Sequence, residues 1–188
     1  IPASLTLTLT VQDLTNDLFL DFNEVKSHLK SVNVNRKKTD INHQKEHLIV
    51  SKKDLVLGEN TIVISFNAGE LSLNRNEDFL YTLLVPDRAS TLFPCFDQPD
   101  IKANYQLTIT APKEWKVLCG AFEESAVDTG NFTKHIFKKT DKMSTYLFSF
   151  VAGNFTSITK NPGAFDMRFL YRENNQEKIA ESVDEIFS

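Results

Sequence analysis

Apolar residues at every second position constrain this chain more than any other feature. Leu5, Leu7, Leu9 and Val11 alternate with Ser4, Thr6, Thr8 and Thr10, and Ile62, Ile64 and Phe66 alternate with Thr61, Val63 and Ser65. A period of two places one set on each face of a β-strand. The same spacing predicts strands at Leu18, Leu20 and Phe22, at residues 29–34 and at 48–50, with turns at 36–42 and at Leu57-Gly58-Glu59-Asn60. Between 71 and 100 the pattern breaks. Pro86, Pro94 and Pro99 stand there, and a proline lacks the donor that a central strand needs. An irregular crossover with one short strand at 79–85 is expected. Alternation returns at Tyr105, Leu107 and Ile109, ended by Pro112, with further strands expected at 115–119, 134–138, 146–151 and 165–171. The aromatic stripe Tyr146, Phe148 and Phe150, beside Leu147 and Val151, reads as a strand buried on both faces. Helical spacing occurs only at the end, where Ile179, Val183, Ile186 and Phe187 fall at i, i+4, i+7 and i+8. Asn174, with Glu177 three residues on, is expected to cap that helix. About ten strands and one terminal helix predict a mainly β fold, an antiparallel β-sandwich or saddle-shaped pair of sheets with a C-terminal helix.

A chain of 188 residues, 41% hydrophobic and with 15 Phe, can bury a core as a single domain and is not of the disordered class. Its net charge of −4 argues against a phosphate backbone as partner, and the densest basic run, Arg36-Lys37-Lys38, is too short to change that. No nucleic-acid partner is expected. No apolar stretch reaches the roughly 18 residues of a spanning helix, so no membrane span is expected. Cys95 and Cys119 are too few for a disulfide scaffold and are expected to be two buried thiols. Ile1-Pro2-Ala3 opens directly into a strand pattern without Met, as in an excerpt or a processed chain. Two Asn-Phe-Thr sequons, at Asn131 and Asn154, matter only in a eukaryotic secretory setting. The compartment stays open.

Motifs that could carry chemistry are few. His43-Gln44-Lys45-Glu46-His47 matches the inverted zinc motif His-x-x-Glu-His. That motif works on a helix; on a strand, residues four apart lie roughly 13 Å apart and cannot share one ion. A solvated hairpin is expected instead. His28 and His135 stand alone and read as surface residues. Asp97 and Asp100 are two carboxylates three apart, but their proline-rich setting favours turn and cap acceptors over a catalytic pair. Cys95 as a nucleophile would need a positioned base, and none is marked. No phosphate-cradling glycine loop, nucleophile elbow or kinase signature occurs.

Phe93-Pro94-Cys95-Phe96-Asp97-Gln98-Pro99-Asp100-Ile101-Lys102-Ala103 resembles the Phe-Pro-Cys-Phe-Asp-Glu-Pro-x-x-Lys-Ala signature of the aminopeptidase N family, gluzincin zinc aminopeptidases that include leukotriene hydrolase. Gln98 replaces the usual Glu. Residues 143–155, Met-Ser-Thr-Tyr-Leu-Phe-Ser-Phe-Val-Ala-Gly-Asn-Phe, are similar to the family's Met-Ser-Thr-Tyr-Leu strand, and the order and spacing agree from 60 to 188. The resemblance implies the family's N-terminal β-saddle domain at 1–173 and, at 174–188, a helix leading toward a catalytic domain. The family's Gly-x-Met-Glu-Asn and His-Glu-x-x-His motifs do not occur in this sequence. It therefore implies no catalytic residue, metal ligand or cofactor on this chain, with zinc and peptidase chemistry in the remainder of a larger parent. The expected partners are that catalytic domain and the parent's peptide substrate.

The family places a polar Gln-x-Glu or Gln-x-Gln pair eleven and nine residues before the signature proline. Counting back from Pro94 gives Leu83 and Val85, followed by Pro86, which matches the family's frequent proline. Leu83, Val85 and Pro86 are thus the implied substrate-pocket positions, with apolar residues where polar ones are usual. The family's Arg four before the signature proline is replaced by Ser90, and Arg88 lies two residues earlier. Phe93, Pro94, Cys95, Phe96, Asp97, Pro99 and Lys102 are expected to form a structural corner, with Asp97 accepting backbone N–H bonds. Two rival readings are a free-standing β-sandwich module binding carbohydrate or mediating adhesion, and a self-contained hydrolase using Asp97 and Asp100.

Overall fold

A computed structural model describes residues 1–161 and 167–186. Its first half contains β1 (Pro2–Val11), β2 (Leu18–Asp21), β3 (Leu29–Val34), β4 (Lys37–Thr39), β5 (Asn42–Gln44), β6 (His47–Val50) and β7 (Gly58–Asn67). These build two antiparallel sheets, β1-β7-β3-β4 and β2-β6-β5. The longest pairing runs from Pro2 opposite Asn67 to Val11 opposite Gly58. The inward residues of both sheets meet in one core containing Leu20, Phe22, Leu48, Ile62 and Ile64, all fully buried. Burying each of these side chains contributes roughly 1.5–3 kcal/mol relative to exposure.

The second half begins with two short strands, β8 (Leu73–Arg75) and β9 (Phe79–Thr82), and continues with β10 (Thr108–Pro112), β11 (Lys116–Cys119), β12 (Glu123–Asp128), β13 (Phe132–Phe137), β14 (Phe150–Gly153), β15 (Thr156–Lys160) and β16 (Met167–Tyr171). Sheets β11-β14-β9-β8 and β10-β13-β12 enclose a smaller core around Ala111, Val117, Phe137 and Ala152. β15 and β16 form a separate hairpin. Helix α1 (Gln176–Ile186) buries Ile179 and Val183 and is tied to the end of β15 by a 2.8 Å ion pair between Lys160 and Asp184. The fold is therefore mainly antiparallel β with, among the described residues, one C-terminal α-helix.

Several local expectations need correction. Residues 36–42 are not one turn: the chain reverses at Asn35 and Arg36, both at positive φ, and Lys37–Thr39 returns as β4. Two positive-φ residues make the tight hairpin turn whose twist matches its strands, and exposed lysines suit an edge strand. Residues 57–60 are not a turn either, since Gly58, at φ +93°, already begins β7. Asn60 is buried there and fully bonded. Its amide donates to Val56 O (2.7 Å) and Gly58 O (3.0 Å), and its Oδ1 accepts from Val56 N and Asn35 Nδ2 (both 2.9 Å).

The strand expected from Tyr105 begins only at Thr108 and includes Pro112, tolerated because β10 is an edge strand. Residues 145–147 are a 3-10 turn rather than strand, and Leu147 is exposed. β5, β8, β12 and β15 also lie outside the predicted strands. His135 is not a surface residue: it is buried, with Nδ1 2.6 Å from Glu123 Oε1. Cys95 and Cys119 are both free, Cys95 buried and Cys119 half-buried. The helix cap is Asn175, whose Oδ1 accepts from Glu177 N and Lys178 N, and not Asn174. Phe165 and Phe187, expected in the last strand and helix, lie outside the described residues.

Candidate functional site

The crossover between the two halves is where the sequence motifs meet. After β9 the chain keeps its alternation for three residues: Leu83 and Val85 are 50% and 54% exposed, while Leu84 between them is 2% exposed. Tyr81, two residues earlier, also faces outward, and Leu83 N donates to Ser72 O beside the exposed Leu71. Pro86 is exposed and follows a cis peptide bond. Apolar side chains thus project along one edge of the crossover. Leu71, absent from the sequence-derived set, belongs with them; the polar character of its surroundings in sequence gave no sign of it.

The chain then turns inward. A 3-10 turn at Ala89–Thr91 is wholly buried, and Gly69 packs against it so closely that an added Cβ would lie 1.9 Å from Thr91 O. Only a residue without a side chain fits there.

From this turn the signature segment is fastened at several points. Ser90 N donates to Asp97 Oδ2 (2.8 Å) and Thr145 Oγ1 donates to Asp97 Oδ1 (2.9 Å), so both carboxylate oxygens are engaged. Asp97 N in turn donates to Asp21 Oδ2 (2.9 Å). Asp21 and Cys95 exchange backbone bonds of 2.7 and 3.0 Å, joining the first sandwich to the signature. Ser144 Oγ donates to Pro99 O (2.6 Å), and Ala103 and Met143 exchange two backbone bonds of 3.0 Å. The two segments on which the family resemblance rests, 93–103 and 143–155, are therefore physically joined. Pro94 is fully buried, Phe93 and Phe96 are half-buried, and Pro99 and Lys102 are exposed. Phe93 and Tyr105 both pack on Phe148, with ring centroids 5.9 and 4.7 Å away.

The electrostatics of this corner oppose nucleophilic chemistry. Burial, reinforced by the Asp97 and Asp21 carboxylates, pushes the Cys95 thiol far above its ordinary range. Burial likewise pushes Tyr105 up to about 12, with Cys95 and Asp97 adding to it. A thiol held protonated is not an attacking group. Asp97 is consumed by its two donors and Asp100 is exposed on the turn beyond.

His43 and His47 stand on the paired strands β5 and β6 and face different partners: His43 Nε2 donates to Phe22 O (3.0 Å), and His47 Nδ1 lies 3.0 Å from Asp21 Oδ1. Among the described residues, no three His, Cys, Asp or Glu side chains gather where they could hold a metal ion, so these residues do not fit a zinc site. No described helix is long and apolar enough to cross a membrane.

Residues 1–147 match the family model described as the Peptidase M1 N-terminal domain. Mouse (Mus musculus) glutamyl aminopeptidase is 37% identical over 97 residues, covering 51% of this chain and 10% of its own length. Probable M1 family aminopeptidase 2 of Encephalitozoon cuniculi is 40% identical over 75 residues, 39% of this chain and 9% of that protein. Rabbit (Oryctolagus cuniculus) aminopeptidase N is 33% identical over 84 residues, 43% of this chain and 9% of that protein. The chain spans about a tenth of the length of the curated relatives it matches.

Proposed function

Because this chain belongs to the Peptidase M1 N-terminal domain family, we propose that it is the non-catalytic N-terminal domain of a zinc aminopeptidase. Residues 1–173 form that domain and 174–188 lead toward the catalytic domain. Leu83, Val85 and Pro86 wall one side of the substrate cleft, and the chain packs on the catalytic domain of its parent. The zinc and its ligands belong to that domain, where the parent removes N-terminal residues from peptides. A wall that excludes water strengthens every electrostatic interaction at the reacting centre.

The observation that carries this function is the outward projection of Leu83 and Val85 from a crossover pinned on both sides. Isolated exposed apolar residues are ordinary, but an alternating row that includes Tyr81, beside Leu71, has the character of a surface made to be covered.

The same positions set specificity. An apolar wall offers a substrate ammonium no acceptor, so the parent discriminates weakly between free and N-acetylated peptides. In the full-length enzyme, Leu83→Gln combined with Val85→Glu raises the ratio of kcat/KM for the free peptide over its N-acetylated counterpart by about tenfold, the effect of roughly 1.4 kcal/mol of differential binding. An unchanged ratio overturns the cleft assignment. The 188-residue chain alone retains no stoichiometric zinc after dialysis and hydrolyses no aminoacyl anilide, while a chelator abolishes hydrolysis by the parent. Chelator-sensitive turnover by the chain alone would sink the non-catalytic role.

A further inference from the structure

Asn131-Phe132-Thr133 lies outside the buried core clusters and outside the crossover to which the peptidase role is assigned. These residues follow β12 and enter β13, at the turn of a hairpin whose residues 122–132 are all exposed. The turn is shaped by other groups. Thr129 N and Oγ1 both donate to Phe132 O (2.8 and 3.0 Å), Gly130 N donates to Asp128 Oδ1 (2.8 Å), and Gly130 sits at φ +90°. Asn131 contributes its backbone carbonyl, which accepts from Lys113 N (3.1 Å). Its carboxamide takes part in none of these bonds, and Asn131 is exposed. Asn35, Asn60 and Asn175, by contrast, use their carboxamides to hold a hairpin, a strand and a helix cap.

A second observation lies beside it. Phe122, Val127 and Phe132 are 80%, 48% and 49% exposed on this one hairpin, a concentration of uncovered apolar surface in a sheet that does not contain the Leu83–Pro86 stretch.

We propose that Asn131 is an N-glycan attachment site, the acceptor for an oligosaccharide carried on a lipid pyrophosphate. In the transfer, the Asn131 amide nitrogen bonds to the anomeric carbon of the first sugar. The bond from that carbon to the pyrophosphate oxygen breaks, the lipid pyrophosphate leaves with the electron pair, and the displaced amide proton passes to a base of the transferase. Thr133 supplies the hydroxyl that the acceptor triad requires, and Phe132 satisfies the exclusion of proline from its middle position. The exposed turn leaves the folded domain room for the bulky product, and the first sugars cover Phe132 at its edge.

Asn154-Phe155-Thr156 repeats the triad in a different setting. Asn154 N donates to Asp78 O (2.8 Å), and the Phe155 ring is folded against Gly153, 2.7 Å from where a Cβ would stand. The assignment is to Asn131.

The test uses the full-length protein purified from its own source cells. Peptide N-glycosidase treatment in ¹⁸O-water converts a glycosylated asparagine into labelled aspartate, and the peptide containing residue 131 carries that label. Recovery of this peptide as unmodified Asn131 overturns the proposal. In a eukaryotic host, Asn131→Gln and Thr133→Ala each remove one glycan's shift on a denaturing gel, while Thr133→Ser keeps it. Retention of the full shift in both removal variants overturns it equally.

Discussion

In the first sandwich, Ile62, Ile64 and Phe66 reach the core because an alternating strand leaves them no other face, and their neighbours across β1 and β3 do the same. In the crossover, Ser90, Thr91, Asp97, Ser144 and Thr145 hold the chain by hydrogen bonds between particular donors and acceptors, several of them between segments distant in sequence. Apart from the bonded Asn60, the first region depends on apolar volume and tolerates apolar residues of similar size. The second depends on single polar atoms, and any change of chemistry there leaves a partner stranded. A region that must present Leu83 and Val85 outward, against their hydrophobicity, needs the second kind of support.

The comparison breaks most visibly at the volume end. Ile64→Ala in the 188-residue chain is expected to lower stability by about 2–5 kcal/mol, whereas Ile64→Val costs about 0.5–1.5 kcal/mol, both read from urea unfolding midpoints. Equal costs for the two would mean that volume does not govern the sandwich.

Asp97→Ala is expected to cost on the order of 1–3 kcal/mol, because Ser90 N and Thr145 Oγ1 lose their acceptor. A change below about 0.3 kcal/mol by the same measurement would show that the corner is not held by this carboxylate. Thr145→Val, nearly isosteric, is expected to cost about 0.5–1.5 kcal/mol by removing one donor. Combined with Asp97→Ala it should add less than the sum of the two, since both act on one bond. Strict additivity would separate the two motif segments energetically.

The smallest effect is a pH dependence. Burial beside Asp97 and Asp21 raises the Cys95 thiol above its ordinary value of 9.0. The folded state therefore keeps its proton where the unfolded chain has lost it. Stability from this group is fully present below pH 9 and declines as pH climbs beyond it. Cys95→Ala should flatten that part of the stability profile, and an unaltered alkaline decline would assign it elsewhere.

The difference between the regions also explains what was legible in advance. β1 and β7 could be read because burial imposes a period of two on them. β12 could not, since all six residues from Glu123 to Asp128 are exposed and nothing imposes a period. Residues 145–147 misled for the opposite reason. Their aromatic neighbours alternate, but the hydroxyl of Thr145 and that of Ser144 bind Asp97 and Pro99 and draw the chain into a 3-10 turn. His135 was hidden because its companion, Glu123, lies on the neighbouring strand twelve positions away, beyond any local pattern. Asn174 and Asn175 are chemically identical candidates for one cap, and only the backbone path chooses between them. The positions of Leu83 and Val85 could be counted from the signature proline, but their exposure follows from Leu84 taking the inward place.

The bond from Thr145 to Asp97 has a consequence in time. The pairings among β1 to β7 use only residues 2–67. At a synthesis rate of about 5–20 residues per second, that half can close several seconds before residue 145 has been made. Until then Asp97 lacks one of its donors, and the row of Tyr81, Leu83 and Val85 hangs from a corner that is not yet latched. Nascent chains halted before Thr145 should therefore resist protease through residue 67 while being cut in the crossover, which makes the Thr145 bond a late latch, closed only after the first sandwich has formed.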